Sequence, residues 1–267
     1  MLYIISTPIG HLKDISLRAL ETLQKVDYIL AEDTRHSRIL LNHHQIKKSL
    51  ISYHKFNEAS RLEKIVSDLK EGKEIALISD AGSPLIADPG LRLTARLHKD
   101  MIPYTVIPGA CSPICALQLS GFNQDRFQFL GFAPKKKGSL EKFLEEIDLY
   151  PGVSLFFETS ERIRSTLSLM SHLLPSNSIA LVREITKMHE EVIRGLAKDL
   201  IQTLLHPRGE FVVVIDQFQQ KESASLEDVQ ALQEKGLSRR DAVIELAKRT
   251  GTSRSKLYKL ANKSDVC

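Results

Sequence analysis

The sequence predicts an α/β protein of two α/β domains followed by a small, helix-turn-helix-like tail. Short apolar runs alternate with segments of helical periodicity, which is typical of a mainly parallel sheet. The composition changes over residues 127–139, where the strand-like FQFLGF is followed by the connector APKKKGS. The polar linker QFQQKESAS at residues 217–225 precedes three short helical patterns. We therefore predict an N-terminal α/β domain at 1–126, a C-terminal α/β domain at 127–217 and a basic helical tail at 226–267.

The first domain contains five short apolar runs that predict strands, because charged, small or turn-forming residues bound each run. The predicted strands are Leu2–Ser6, Tyr28–Ala31, Leu50–Tyr53, Ile75–Ile78 and Tyr104–Ile107. Periodicity and capping residues predict helices between them: Asp14–Val26, Ser37–Asn42, Glu58–Lys70, a helix to His98 with Asp88 as its N-cap and Pro89 at its first position, and one through Leu119.

The second domain and the tail continue the alternation. The predicted strands are Leu155–Phe157, Ile179–Val182, Val192–Arg194 and Phe211–Ile215, and the predicted helices are Leu140–Ile147, Ile163–Leu173 and Lys198–Leu205. Three helices are predicted in the tail: Leu226–Gln233, Arg239–Arg249 and Ser253–Ala261. Because Gly251 separates the last two and Ser253 can cap the third, their step has the form of a helix-turn-helix. An ordinary helical C-terminal cap is an equally good interpretation.

Composition places the chain among soluble globular proteins and predicts the cytoplasm as its compartment. Of its 267 residues 42% are hydrophobic and 26% charged, and no apolar run approaches the roughly 18 residues of a membrane span. Three cysteines are too few for a disulfide framework. Cys111 and Cys115 are predicted to be small core residues, since no clustered histidines accompany them. We therefore predict no metal site.

Positive charge is concentrated in two parts of the chain. The formal net charge is +4, and the tail contains nine Lys/Arg against six Asp/Glu. A further basic run consists of Lys135, Lys136 and Lys137. Such clusters attract phosphates, although a solvated surface explains either cluster equally well.

Polar loops at the ends of predicted strands are the best candidates for a site. In parallel α/β sheets ligands bind at the carboxyl ends of the strands, where this chain has Thr7–Gly10, Glu32–Arg35, Ser79–Pro84 and Pro108–Ser112. Three polar segments of the second domain would close over them: Glu158–Arg162, Arg183–Glu191 and Arg208–Glu210. The motifs GxGxxG, GxxxxGK[ST], GxSxG and HExxH are absent, which argues against dinucleotide, P-loop, nucleophile-elbow and zincin chemistry.

Eight motifs together resemble the tetrapyrrole-methylase superfamily, and within it the 16S rRNA (cytidine 2′-O)-methyltransferase branch. In chain order they are TPIGHLKDIS, AEDTRHS, SDAGSPLIADPG, IPGACSP, GFAPKKKG, FFETSERI, REITKMHEE and RGEFVVVID. The resemblance covers Leu2 to Asp216. Three segments depart from the tetrapyrrole enzymes: SDAGSP replaces Gly-Gly-Asp-Pro, EITK replaces a Gly-Thr-Thr-type segment, and the first turn has one glycine. These departures match the rRNA branch.

The resemblance implies two α/β domains of tetrapyrrole-methylase type with S-adenosylmethionine in the cleft between them. It further implies a substrate in the decoding region of 16S rRNA or in the small ribosomal subunit, no membrane partner, and a homodimer. The cofactor-binding residues that it implies are Pro8, Ser79, Asp80, Ala81, Gly82, Ser83, Ser112, Phe157, Thr186, Gly209 and Glu210.

Ribose methylation needs a group that removes or polarises the hydroxyl proton. We predict Glu32, Asp33 or Asp80 in this role, although helix capping or pairing with an arginine also explains the first two. The predicted RNA-binding side chains are Arg35, Lys135, Lys136, Lys137, Arg183, Lys187, Arg254, Lys256 and Lys259. An ion pair within the domain explains Arg35, Arg183 and Lys187 equally well.

Two other functions remain open from the sequence. A methyltransferase acting on a small tetrapyrrole, a corrin or porphyrin precursor, would explain two domains without explaining the basic tail. A DNA-binding regulator with a ligand-sensing α/β domain would explain the tail without explaining the polar loops.

Overall fold

The computed structural model describes residues 1–122, 125–204, 207–216, 226–250 and Leu257. Its first sheet has five parallel strands in the order β3-β2-β4-β1-β5. These strands are β1 (Leu2–Ile5), β2 (Tyr28–Ala31), β3 (Ser49–Ser52), β4 (Ile75–Ile78) and β5 (Tyr104–Ile107). The order places β4 in the centre, between β2 and β1, and the residues of β4 are fully buried as a strand covered on both faces must be.

Helices cover the two faces of this sheet. They are α1 (Leu17–Lys25), α2 (Thr34–His43), α3 (Glu58–Lys70) and α4 (Leu91–Lys99). Leu23 and Leu40 of the first two helices belong to the core on one face, whereas Ile65 and Leu93 of the other two belong to the core on the opposite face. The carboxyl ends of the strands are left free for polar loops.

The second sheet is mixed, with the order β6-β7-β10-β8-β9. Its strands are β6 (Phe127–Phe132), β7 (Val153–Thr159), β8 (Ser178–Arg183), β9 (Glu191–Gly195) and β10 (Glu210–Asp216). Only β6 and β7 pair in parallel, and the other three pairings are antiparallel. The alternation of elements did not indicate these reversals. One face packs on α6 (Lys137–Leu149), α7 (Ile163–Leu173) and α8 (Ala197–Thr203).

Helix α5 (Ser112–Ser120) follows the first sheet in sequence but packs on the second. Its Ala116 and Leu117 are buried against strand residues that include Val182 and Val212. The guanidinium of Arg194, on β9, donates to the carbonyl oxygens at the end of this helix. The helix therefore joins the two halves, while the division into domains at residue 126 remains a prediction.

Two predicted helix starts were wrong. The N-cap of α1 is Ser16, whose hydroxyl accepts from the Ala19 amide at 3.1 Å, and Asp14 lies outside the helix. Helix α4 begins at Leu91 after Gly90, whose φ of 121° is open to glycine but strained for other residues. The N-cap position of α4 is therefore Gly90 and not Asp88.

The tail contains two described helices, α9 (Leu226–Glu234) and α10 (Arg239–Thr250). They have a small core of their own, formed by Val229, Ala242, Val243, Leu246 and Leu257. The third predicted helix, Ser253–Ala261, lies outside the described residues except for Leu257. Within the described part of the chain, no helix is both long and apolar enough to cross a membrane.

Candidate functional site between the two sheets

The loop after β4 is fixed by the loop after β1. The amide of Thr7 donates to the carbonyl of Gly82 at 2.8 Å, and the reverse bond measures 3.1 Å. The Thr7 hydroxyl also donates to the carbonyl of Ser79 at 3.2 Å. Gly82 has a φ of 81°, so this paired turn needs a residue that tolerates the left-handed region. Residues 79–83 therefore form a rigid ledge at the carboxyl edge of the first sheet.

Serine hydroxyls tie the same ledge to the loop after β5. The hydroxyl of Ser83 lies 2.9 Å from that of Ser6 and donates to the carbonyl of Ala110 at 3.1 Å. Ser79 donates to the carbonyl of Gly82 at 3.1 Å. Three of the predicted strand-end loops thus meet at one place through hydrogen bonds between them.

The loop after β8 supplies the facing wall from the second half of the chain. Glu184 and Thr186 have φ values of 51° and 62°, which are uncommon for residues with side chains and often mark functional sites. Gly209 has a φ of 81°, and a Cβ at this position would lie 2.8 Å from the Glu184 carboxyl carbon. The positive φ favours glycine here, and an added Cβ would also displace the Glu184 carboxylate.

A direct contact joins the two walls at Gly10. The amide of His11 donates to the Thr186 hydroxyl at 3.0 Å. A Cβ on Gly10 would lie 2.6 Å from that hydroxyl and 2.8 Å from the carbonyl oxygen of Ile185. The Thr186 amide donates to the Glu190 carboxylate at 2.7 Å, which holds the loop in place.

These walls enclose a cavity, here called the interdomain cavity. Its lining from the first half of the chain is Ile9, Asp80, Ala81, Gly82, Ser83, Ile86, Ala87, Asp88, Cys111, Ser112 and Pro113. Its lining from the second half is Phe132, Phe157, Glu158, Thr159, Val182, Glu184, Ile185, Lys187, Glu210, Phe211 and Val212. Ligand sites commonly combine such an apolar lining with a few polar groups.

The predicted cofactor residues divide into two groups in this geometry. Those that line the cavity are Asp80, Ala81, Gly82, Ser83, Ser112, Phe157 and Glu210. The other four, Pro8, Ser79, Thr186 and Gly209, are absent from the lining. Pro8 precedes the lining residue Ile9, and the last three support the walls through the contacts described above.

Aromatic rings form part of the wall on the second sheet. The ring centroids of Phe157 and Phe132 are 5.1 Å apart, and those of Phe157 and Phe129 are 4.9 Å apart. Phe132 remains 58% exposed although it lines the cavity. An exposed ring in such a position offers a flat apolar face to a planar ligand.

Asp33 has the structural role that sequence offered as the alternative to catalysis. Its carboxylate is the N-cap of α2, accepting from the Arg35 amide at 2.8 Å, and it forms an ion pair with the Arg35 guanidinium at 2.7 Å. These contacts hold the pKa of Asp33 well below its usual range. Its own amide donates to the Asp80 carboxylate at 2.9 Å, which orients that side chain at the cavity.

Asp88 is the acidic group of the lining that sequence reasoning missed, because the residue was predicted to cap a helix. Burial raises the pKa of Asp88 to about 7, and the neighbouring charges of Glu32 and Asp80 add to the shift, while hydrogen bonding to Ser79 opposes it. Burial also raises the pKa of Glu32, helped by Asp80 and opposed by His54. The second acid of SDAGSPLIADPG, eight residues after Asp80, was the available signal.

Three of the predicted RNA-binding residues are engaged in ion pairs. Arg35 pairs with Asp33, Arg183 with Glu191 at 2.6 Å, and Lys187 with Glu184 at 3.1 Å. The Arg35 side chain is 90% exposed, and exposed pairs of this kind stabilise little, so its charge remains accessible to a new partner.

The basic run at residues 135–137 is exposed at the start of α6. Positive charge is unfavourable at a helix N-terminus, and no ion pair in the described part of the chain involves these lysines. Arg254, Lys256 and Lys259 lie outside the described residues.

The two cysteines predicted to lie in the core have different surroundings. Cys115 packs at the edge of the core between α5 and the second sheet, whereas Cys111 lines the interdomain cavity. Among the described residues, no group of three or more His, Cys, Asp or Glu side chains is arranged to hold a metal ion.

Residues 1–201 match the family described as tetrapyrrole (corrin/porphyrin) methylases. A protein of Hydrogenobaculum sp. named ribosomal RNA small subunit methyltransferase I is 45% identical over 219 residues, covering 80% of this chain and 94% of that protein. The protein of the same name from Synechocystis sp. is 39% identical over 270 residues, covering 98% of this chain and 97% of that protein. A uroporphyrin-III-C-methyltransferase structure from Thermus thermophilus aligns with a TM-score of 0.56 and 18% identity, over 81% of this chain and 94% of that chain. That likeness supports the fold alone.

Proposed function

This chain belongs to the tetrapyrrole (corrin/porphyrin) methylase family, and from that premise we propose that it methylates the ribose 2′-hydroxyl of a cytidine in 16S rRNA with S-adenosylmethionine. The observation that carries the proposal is the identity of 39% over almost the whole length to a protein named for methylation of small-subunit rRNA. The alignment includes the basic tail, which a small tetrapyrrole substrate would not require.

The interdomain cavity fits the chemistry of S-adenosylmethionine. Phe157 provides an apolar face for the adenine ring, and Glu210 and Ser112 provide polar groups for ribose hydroxyls. The Asp80 carboxylate is complementary to the ammonium and sulfonium charges of the cofactor. The turn at residues 79–83 brings small residues and backbone groups to the surface of the cavity.

When bound, the cofactor supplies a methyl carbon that is open to in-line attack by an oxygen, so positioning can contribute much of the rate enhancement. The ledge at residues 79–83 and the loop after β8 would fix its two ends. A carboxylate at the cavity would accept the proton of the ribose 2′-hydroxyl or polarise its O–H bond. Glu32, Asp33 and Asp80 are the candidates proposed from sequence, and of these only Asp80 lines the cavity.

The exposed cations supply the attraction for rRNA. Lys135–Lys137 follow the cavity residue Phe132 closely in the chain, and Lys187 lines the cavity itself. With Arg35, Arg183 and the basic tail they would contact phosphates and position the RNA without reading its sequence. A homodimer in the cytoplasm, acting on the small ribosomal subunit or on free 16S rRNA, belongs to the same proposal.

Transfer of a labelled methyl group from S-adenosylmethionine tests this function. Small ribosomal subunits from a strain that lacks the modification, free 16S rRNA and a tetrapyrrole precursor would serve as acceptors in parallel reactions. We expect label in the RNA of the subunits. Label in the tetrapyrrole alone would replace the rRNA function with the small-molecule one, and cofactor binding without any transfer would favour the sensor function.

A further inference from the structure

We propose that the Asp88 carboxylate accepts the proton of the ribose 2′-hydroxyl as that oxygen attacks the methyl carbon. The inference rests on the proposed function and deepens it by assigning the proton acceptor. In the step, the oxygen–carbon bond forms while the carbon–sulfur bond breaks, and the electron pair of that bond stays on sulfur. The hydroxyl proton moves to Asp88 and is then released to solvent.

The first argument is the place of Asp88 in the fold. Asp88 lines the interdomain cavity and is half-buried, whereas neither Glu32 nor Asp33 lines it. The carboxylate of Asp33 is already engaged as a helix cap and ion-pair partner. Asp80, the other aspartate of the lining, accepts from the Asp33 amide and is therefore held at one oxygen.

The second argument is the conformation of the loop that presents Asp88. Leu85 and Ala87 have φ values of 72° and 69°, which strain residues with side chains and persist only where the surroundings fix them. A Cβ on Gly90 would lie 2.6 Å from a methyl carbon of Leu85, so the loop is packed closely on itself. The Glu58 carboxylate accepts from the Gly90 amide at 3.4 Å. The chain thus holds Asp88 at the cavity against local backbone preference.

The third argument is electrostatic. The groups that face Asp88 are the carboxylates of Glu32, at the end of β2, and Asp80, after β4, together with the Ser79 hydroxyl. Burial and the two carboxylates raise the pKa of Asp88 to about 7, which suits a proton acceptor at neutral pH. The Ser79 proton is shared with the Gly82 carbonyl, so Ser79 only partly offsets the shift.

The same electrostatics couple the acceptor to the charge of the cofactor. A sulfonium bound nearby would lower the pKa of Asp88, since an opposite charge favours the carboxylate. After transfer the sulfur is a neutral thioether, so the affinity of Asp88 for a proton increases as the hydroxyl releases one. Cofactor binding should therefore ionise the group, and methyl transfer should reprotonate it.

Calorimetric titration in buffers of different ionisation enthalpy measures this coupling without turnover. With a free-protein pKa of about 7 for Asp88, binding of S-adenosylmethionine at pH 7 should release about half a proton. Binding of S-adenosylhomocysteine, which lacks the sulfonium, should release far less. The variant Asp88→Asn should bind both ligands without this difference, and Asp148→Asn, an exposed aspartate on α6, should behave as the wild type.

Kinetics on small ribosomal subunits complete the test. We expect Asp88→Asn to lose about 100-fold or more in kcat while its melting temperature and its affinity for S-adenosylhomocysteine stay near the wild-type values. Its affinity for S-adenosylmethionine should fall only by the factor that matches the lowered pKa of Asp88 in the complex. In the wild type, kcat/KM for the cofactor should rise with pH to a plateau above a break near 7. Ser79→Ala should move that break to higher pH, and Glu32→Gln should move it to lower pH.

The outcomes separate this inference from the proposed function. Wild-type transfer to rRNA together with full activity of Asp88→Asn would refute the assignment and leave the function standing. Loss of transfer in Glu32→Gln with normal transfer in Asp88→Asn would assign the proton to Glu32 instead. A wild-type protein that labels no RNA would refute the function and the assignment together. If Asp88→Asn fails to fold, two other measurements test the assignment. One is the activity of Asp88→Glu, and the other is the pH at which kcat/KM breaks, which should rise in Ser79→Ala and fall in Glu32→Gln.

Discussion

Replacing Gly10 with alanine should separate the two walls of the interdomain cavity. The added Cβ would lie 2.6 Å from the Thr186 hydroxyl, 2.7 Å from Cγ of Lys187 and 2.8 Å from the carbonyl oxygen of Ile185. The last of these atoms belongs to the backbone, so a change of rotamer cannot relieve the contact and the loop itself must move. Overpacking of this kind costs about 1–3 kcal/mol.

This cost should appear mainly in cofactor binding, because the displaced loop is one wall of the cavity. If the whole overpacking cost destabilises the complex and none of it the free protein, the Kd for S-adenosylmethionine rises between about 5-fold and about 150-fold. Isothermal titration calorimetry measures the affinity, and thermal unfolding measures any part of the cost that the free protein bears. Gly138→Ala is the matched control, since a Cβ there meets no atom within 4 Å. Wild-type affinity and an unchanged melting temperature in Gly10→Ala would refute the reasoning.

Three further predictions concern the tail, the basic run and acid stability. Deletion of residues 226–267 should weaken the binding of small ribosomal subunits in a salt-dependent manner, which a filter-binding assay would measure. The affinity for the cofactor should stay nearly unchanged, because the tail has its own core. Loss of cofactor affinity would show that the tail has a structural role instead. Replacing Lys135–Lys137 with alanine should reduce the salt dependence of the same binding by about two to three counterions, and an unchanged slope would exclude phosphate contacts there. Burial raises the pKa of Asp68, but hydrogen bonds from two lysines and a tyrosine outweigh it and hold the pKa at about 2. The depressed value means that Asp68 stabilises the fold above its unfolded pKa and loses this effect as the pH falls towards 2, so urea unfolding of Asp68→Asn should depend less on pH between 5 and 2.

Much of the first sheet could be predicted from the sequence because each strand is a short apolar run with clear boundaries, and the inner strands β2 and β4 are buried throughout. The runs Tyr28–Ala31, Ile75–Ile78 and Tyr104–Ile107 have the same bounds in prediction and structure. The second sheet was harder, since antiparallel pairing depends on contacts between distant strands. The packing of α5 on that sheet could not be inferred either, because the helix follows the first sheet directly in sequence.

The candidate site was predictable as a set of loops but not as a set of roles. The strand-end loops at residues 7–10 and 79–84 come together as expected, because parallel strands end at one edge. The misassignment of Asp88 arose from local rules, since Asp followed by Pro is a common helix start. Gly90, with its positive φ, delays the helix and leaves the carboxyl at the cavity. Only the folded chain reveals that difference.

The chemical position of the transferred methyl group tests the central claim most directly. Small ribosomal subunits would be labelled with S-adenosylmethionine, and the rRNA would be digested to nucleosides and analysed by mass spectrometry. We predict a single product, a cytidine with the methyl group on its ribose, and a neighbouring phosphodiester that resists alkaline hydrolysis because the 2′-hydroxyl is blocked. A methyl group on the base, or on no RNA nucleoside at all, would contradict the account.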